Sequence, residues 1–132
     1  MVADTNILIS GLFWEGNESD ILMMCKTGDI TLIVSPDIIM ELENVLSREK
    51  FGLTKEEVDS AVGEILSISK IVNPRMQIDI IKDDPDDNII LECAIEGNAE
   101  LIISGNKHVY NLQNFRNIPI VRTKEALKRI RE

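Results

Sequence analysis

The sequence predicts an α/β fold, a central parallel sheet flanked by helices, over residues 1–132 as one compact domain. Three observations carry this. Short β-branched runs alternate along the whole chain with segments whose apolar residues recur at helical spacing. Strands alternating with helices are joined by right-handed crossovers, which places a parallel sheet between two helical layers. Hydrophobic residues make up 44% and charged residues 28% of the chain, enough apolar surface for a core and unlike a disordered segment.

The elements follow in order. Val2 to Asp4 reads as the tail of a first strand, and Asn6 to Phe13 as a helix ending near Gly16. Asp20 to Thr27 is the next helix, with Ser19 as N-cap and Gly28 past its end. Ile30 to Val34 is short and β-branched, a buried strand. In "SPDIIMELENVLSREK", Ser35 can cap, Pro36 fits the first helical position and Asp37 suits the positive helix start. Ile38, Leu42, Val45 and Leu46 then form its apolar stripe. Thr54 and Glu57 make a capping box before the stripe Val58, Ala61, Ile65, Leu66. Lys70 to Val72 and Ile78 to Ile81 read as strands. Asp86 or Asp87 starts a helix running to about Glu96, closed by Gly97. Leu101 to Ser104 and Ile118 to Val121 are strands, and Thr123 caps a last helix.

Charge narrows the function. A formal net charge of −9 argues against gripping nucleic acid by bulk electrostatics, which needs lysine and arginine against phosphates. It leaves room for a nucleic-acid enzyme whose acids hold divalent cations, because a loaded site is electropositive. The basic residues concentrate at the end, in Arg122, Lys124, Lys128, Arg129 and Arg131, whose plainest role is a solvated helix face. No apolar span approaches the roughly 20 residues of a membrane helix. The start "MVADTNILIS" shows no basic leader or cleavage site, so a cytoplasmic protein is expected. Cys25 and Cys93 lie far apart and outside zinc spacing, and are expected to be free thiols.

The chemistry gathers where strands end, since functional groups in parallel sheets collect beyond the carboxyl ends of strands. Asp4 ends the first strand. Glu41 lies about a turn and a half into the helix after the second, and its Cα–Cβ bond tilts back toward the helix start. Asp87 opens a helix, and Ser104 and Asn106 end the strand at "SGNKH". Three carboxylates and an amide from four junctions are thus expected to face one point. Bare carboxylates a few ångströms apart repel. A hard cation removes that problem, and oxygen-only donors suit magnesium or manganese. No Ser-His-Asp or Cys-His set competes, and the lone His108 has no evident partner, which suits a surface or loop residue.

Each acid also has a plainer role. Asp4 can cap the next helix, Glu41 can be an exposed helix residue, and Asp86 or Asp87 can be an N-cap after Pro85. Asp83, Asp84 and Asp86 read as solvated turn acids near a helix start.

The blocks "ADTNILIS", "SPDIIMELENVLSREKF" and "DDPDDNIILECAIEGNAELIISGNKHV", in this order and at these spacings, resemble the PIN domain family. The branch most resembled is the toxin components of toxin–antitoxin pairs, VapC-like ribonucleases. The resemblance implies a central parallel sheet of about four or five strands between helical layers, and a magnesium- or manganese-dependent ribonuclease. Asp4, Glu41 and Asp87 match its first, second and third acids, and Asn6 stands beside the first as a supporting or helix-start group. Ser104 matches a supporting hydroxyl. Relatives carry aspartate where this chain has Asn106, and the alternative fourth-acid position falls here on Val109. An amide there offers a neutral oxygen in place of a charge, so a second metal is expected to bind more weakly.

The expected activity is that of a metal-dependent endoribonuclease acting on single-stranded or looped RNA. Lys107 and the C-terminal basic residues would grip phosphate. A cognate antitoxin would cover the acidic cleft, and a homodimer is expected by analogy. Leu12, Phe13 and Trp14 either line a partner groove or join the core. The alternative is an inert PIN-fold module that binds RNA or protein. A phosphotransfer domain of haloacid-hydrolase or receiver type is disfavoured, because "DTN" lacks the second aspartate of the hydrolase motif and the receiver's paired acids and lysine are not evident.

Overall fold

The computed structural model describes residues 1–132. Six strands and seven helices follow in the order β1 (Val2–Ala3), α1 (Thr5–Phe13), α2 (Asn17–Thr27), β2 (Leu32–Val34), α3 (Pro36–Leu46), α4 (Lys55–Ser67), β3 (Ser69–Ile71), α5 (Asn88–Glu96), β4 (Ile102–Ile103), α6 (Lys107–Tyr110), β5 (Asn114–Phe115), β6 (Ile118–Val121) and α7 (Thr123–Arg131). A 3₁₀ turn at Pro85–Asp87 leads into α5.

Strands β1, β4 and β6 are parallel, with Val2 opposite Ile102 and Ile102 opposite Ile120. β5 adds an antiparallel edge, Phe115 opposite Ile118. β2 and β3 form a second parallel pair. The Ile33 N–H donates to the Met1 carbonyl at 2.8 Å and brings β2 alongside β1. The chain therefore builds outward through β2 and β3 on one side of β1, then returns to lay β4 on the other. The carboxyl ends of β1 and β4 flank the switch point of the sheet, where a crevice opens in such folds.

The core is one cluster of 34 buried hydrophobic residues. β1, β2 and β4 are buried throughout, as strands covered on both faces must be. α3 shows how the sequence writes a helix. Ser35 Oγ accepts from the Ile38 N–H, Pro36 opens the first turn, and Ile38, Leu42, Val45 and Leu46 are buried. Each such side chain contributes about 1.5–3 kcal/mol by leaving water. Gly11 lets α1 approach α2 closely, since a Cβ there would stand 2.6 Å from Leu22 Cδ1 and 2.8 Å from the Glu18 carbonyl oxygen.

The capping box of α4 forms as expected, with Thr54 and Glu57 bonding each other's backbone N–H. Other expectations are corrected. Ile78 to Ile81 is not a strand. The Ile78 N–H donates to Glu92 Oε2 at 2.9 Å, and the Ile80 and Ile81 N–H groups to Asn88 Oδ1 at 3.1 and 2.9 Å. The β-branched run records real burial of Ile78 and Ile81, but side chains of α5 take the place of a ladder. α2 starts at Asn17 instead of Asp20, because Ser19 Oγ reaches back to the Gly16 N–H and carbonyl from inside the helix. Thr123 is the first residue of α7 and Arg122 holds the cap position, since β6 extends to Val121. The edge strand β5 and the short α6 escaped the apolar pattern, being too brief to show periodicity. No helix is long and apolar enough to cross a membrane.

Candidate functional site

Asp4 leaves the carboxyl end of β1, where its N–H still donates to the Ile103 carbonyl at 3.1 Å. Its two expected roles coexist. Oδ1 accepts from the Ile7 N–H at 2.9 Å and caps α1, while Oδ2 turns into the crevice and accepts from Ser104 Oγ and from the Gly105 N–H at 3.2 Å. Ser104 is fully buried at the end of β4, and its Oγ also accepts from the Asn106 N–H at 3.0 Å. Burial raises the Asp4 pKa, and the donors of Ser104, Ile7, Gly105 and Asn106 pull against that rise.

Asp87 has no capping duty. It occupies the N-cap position of α5 without a side-chain bond to that helix. Asp84 caps the preceding turn instead, by accepting from the Asp86 N–H at 3.2 Å. The Asp87 carboxylate is left to face Asn106, whose Nδ2 donates to its Oδ2 at 2.8 Å. Burial, then the charges of Asp84 and Asp4, push the Asp87 pKa up to about 6, with His108 opposing and Asp86 adding a little. Glu41, on the sixth residue of α3, is half-buried, and its pKa is raised first by burial and then by Asp86, Asp87 and Asp84. Thr5 opposes that rise. Its Oγ1 is buried without a hydrogen bond of ordinary length and lies near the Glu41 carboxylate.

Asp87 therefore feels the charge of Asp4, and Glu41 feels that of Asp87. No three acidic side chains converge tightly enough in this arrangement to hold an ion by themselves. A family model described as PIN domain matches residues 1–108. The chain belongs to the PIN domain family. Among solved structures it is similar to the crystal structure of VapBC2 from Rickettsia felis bound to a DNA fragment from their promoter. The TM-score is 0.63 at 19% sequence identity, over 90% of this chain and 95% of that one, a likeness of fold. None of the curated proteins compared matches the chain.

The donor set of this PIN domain fits a hard divalent cation in kind. It offers oxygens only, and the buried Asp4 and half-buried Asp87, both with raised pKa values, are groups that a positive charge would relieve. Magnesium commonly uses one or two carboxylates and completes its shell with waters and substrate phosphate, so three tightly gathered acids are not required.

The structure places the remaining candidates unevenly. Asn106 was expected to offer its amide oxygen toward the site. Instead Oδ1 accepts from the His108 N–H at 2.9 Å and caps α6. Both ends of the amide are committed, and turning it over would set N–H against N–H and oxygen against oxygen. Asn6 is exposed on the second residue of α1 and makes no hydrogen bond to the acids. Lys107 is exposed at the start of α6. His108, without an evident partner in the sequence, places Nδ1 3.2 Å from Asp83 Oδ2. Sequence reasoning missed Asn88, which is buried at 3% exposure and ties Ile80, Ile81 and Pro85 beside Asp87. A buried amide straight after an acid is the signal that could have found it. Of the apolar trio, Leu12 packs against the core, whereas Phe13 and Trp14 are exposed and meet edge to face at 6.2 Å.

Proposed function

We propose that this PIN domain is a divalent-metal-dependent endoribonuclease. One observation carries the proposal: Asp4, leaving β1, and Asp87, just ahead of α5, are linked through Ser104 and Asn106 beside the switch point, and the Asp4 charge raises the proton affinity of Asp87. Asp4, Glu41 and Asp87 would hold Mg²⁺ or Mn²⁺. Such an ion supplies Lewis-acid polarisation of the phosphodiester and lowers the pKa of water. The rest is the work of the chain. Ser104 and Gly105 keep the Asp4 carboxylate aimed outward from its cap, and Asn106 fixes the Asp87 carboxylate against its neighbours' charge. Below about pH 6 a proton on Asp87 competes with a cation for the same oxygens. His108 turns Nδ1 to Asp83.

The test is incubation of end-labelled single-stranded RNA with the protein and Mn²⁺, with an excess of chelator in a parallel arm. Internal cleavage leaving 5′-phosphate and 3′-hydroxyl ends, abolished by chelator, is the expected result. RNA that stays intact under all metal conditions rejects the activity.

We infer further that the protein acts as the toxin of a toxin–antitoxin pair. This rests on the PIN family match and on the fold shared with VapBC2. Co-expression with the product of the adjacent reading frame should relieve growth arrest, and arrest that persists speaks against the pairing.

One observation favours a second reading, an RNA-binding PIN fold that does not cut: an amide, Asn106, contacts Asp87 where the resemblance calls for an acid. Calorimetric titration with Mn²⁺ separates the two, because an inert module gives no saturable heat.

A further inference from the structure

Beyond Gly105, whose N–H meets Asp4, an open groove of about 1000 Å³ runs along the length of α7 and the first turn of α2. β6 lies next to β4, so its carboxyl end delivers α7 to the same sheet edge as the acids. Arg122, Lys124, Lys128 and Arg131 line the groove together with two acids, Glu18 and Glu125. Four cations less two anions is a local charge of +2 in a chain whose total is −9. Arg131 lies 3.8 Å from Asp20 and Glu125 is paired with Arg129, but Lys124 and Lys128 form no ion pair. They stand four residues apart on one face of α7, a like-charged spacing that works against the helix.

Without bound cations the acidic crevice repels an approaching polyanion, and a neighbouring basic surface offsets that repulsion. We propose that this groove takes the phosphodiester backbone of single-stranded RNA flanking the bond to be cleaved, with Lys124 and Lys128 on successive phosphates. The proposal rests on the ribonuclease reading above. Lys107, outside the groove lining, is secondary to these two.

The test is fluorescence anisotropy with a labelled single-stranded oligouridylate in metal-free, chelator-containing buffer, on the full chain at several salt concentrations. Lys124→Gln/Lys128→Gln is expected to bind at least about tenfold more weakly. Its slope of log affinity against log salt should flatten by about 1.4, since each single-strand phosphate left without its lysine removes about 0.7. Lys50→Gln/Lys55→Gln, which also removes two exposed cations, should change neither. Unchanged affinity and slope in the groove variant overturns the proposal, as does a wild-type protein that binds no oligouridylate. Displacement of the RNA by polyglutamate at equal charge would assign the groove to an acidic protein segment and also overturn it. Cleavage by wild type with Mn²⁺ is scored separately. Loss of binding in the groove variant without wild-type cleavage refutes the nuclease and keeps the groove, whereas cleavage with an indifferent groove variant does the reverse.

Discussion

Asn106 donates from Nδ2 to Asp87 Oδ2 across 2.8 Å, and the same amide accepts the His108 N–H through Oδ1. The residue thus couples the start of α6 to the acid ahead of α5. Asn106→Asp keeps the oxygen that caps α6 but sets a carboxylate against a carboxylate. Above pH 6 and without metal, the variant is expected to lose about 1.5 kcal/mol of stability, the worth of a hydrogen bond to a charged acceptor. Mn²⁺ should then raise its melting temperature more than it raises that of wild type. Equal metal-induced shifts in the two proteins would count against the contact.

The titration of Asp87 has a definite sign. Its folded-state pKa of about 6 lies above the ordinary 3.8, so the native chain binds the extra proton. Stability in chelator is therefore lost through this group as pH rises from about 4 to 6. Asp87→Asn removes that loss, and the melting-temperature difference between variant and wild type should grow across the same window. The Glu96–Arg75 contact, which lowers the Glu96 pKa, acts in the opposite direction but equally in both proteins. Parallel melting curves against pH would contradict the assignment.

Asp4→Asn should abolish manganese-dependent cleavage and leave the far-ultraviolet spectrum unchanged. Asparagine is as good an N-cap as aspartate for α1. Its amide nitrogen meets the Gly105 N–H on the other side, so a stability cost of about 1–3 kcal/mol is expected from the unmatched donor. Undiminished cleavage would remove Asp4 from the proposed site.

Asn88→Ala deletes four hydrogen bonds from a buried amide: two accepted from Ile80 and Ile81, two given to Ile81 and Pro85. Chemical denaturation should show a loss of about 2–4 kcal/mol. Cleavage should fall further than stability explains, since the turn carrying Asp87 loses its support. Activity that tracks only the folded fraction would confine Asn88 to a structural role.

Gly11→Ala tests the α1–α2 contact. A methyl group would press on Leu22 and on the Glu18 carbonyl, and a destabilisation of about 1–3 kcal/mol is expected by thermal melting. An unchanged melting temperature would show that α2 can shift without cost.

Much of the fold was legible in the residues, for physical reasons. Caps and apolar stripes are local, so Ser35 with its stripe and Thr54 with Glu57 announced their helices. Asp4 followed from where β1 ends and Glu41 from its place a turn and a half into α3, whereas Asp87 opens α5 after a segment that is not a strand. The Ile78 to Ile81 segment misled because β-branched burial looks the same whether the amides bond to a strand or to side chains of a distant helix. The role of Asn106 was half hidden: its cap on His108 is local, but its bond to Asp87 depends on how β4 and α5 come together in space. The tie between His108 and Asp83 was invisible for the same cause.

The backbone N–H groups of Ile78, Ile80 and Ile81 bond only to side chains of Asn88 and Glu92, which has a kinetic consequence. Amides shielded by a few side-chain acceptors on one helix share a single fate, and they should exchange with deuterium together in one local opening below the global unfolding free energy. Each such opening would free the Asn88 side chain that braces the turn at Pro85, so exchange protection at Ile80 and Ile81 should report on the order of the segment carrying Asp87.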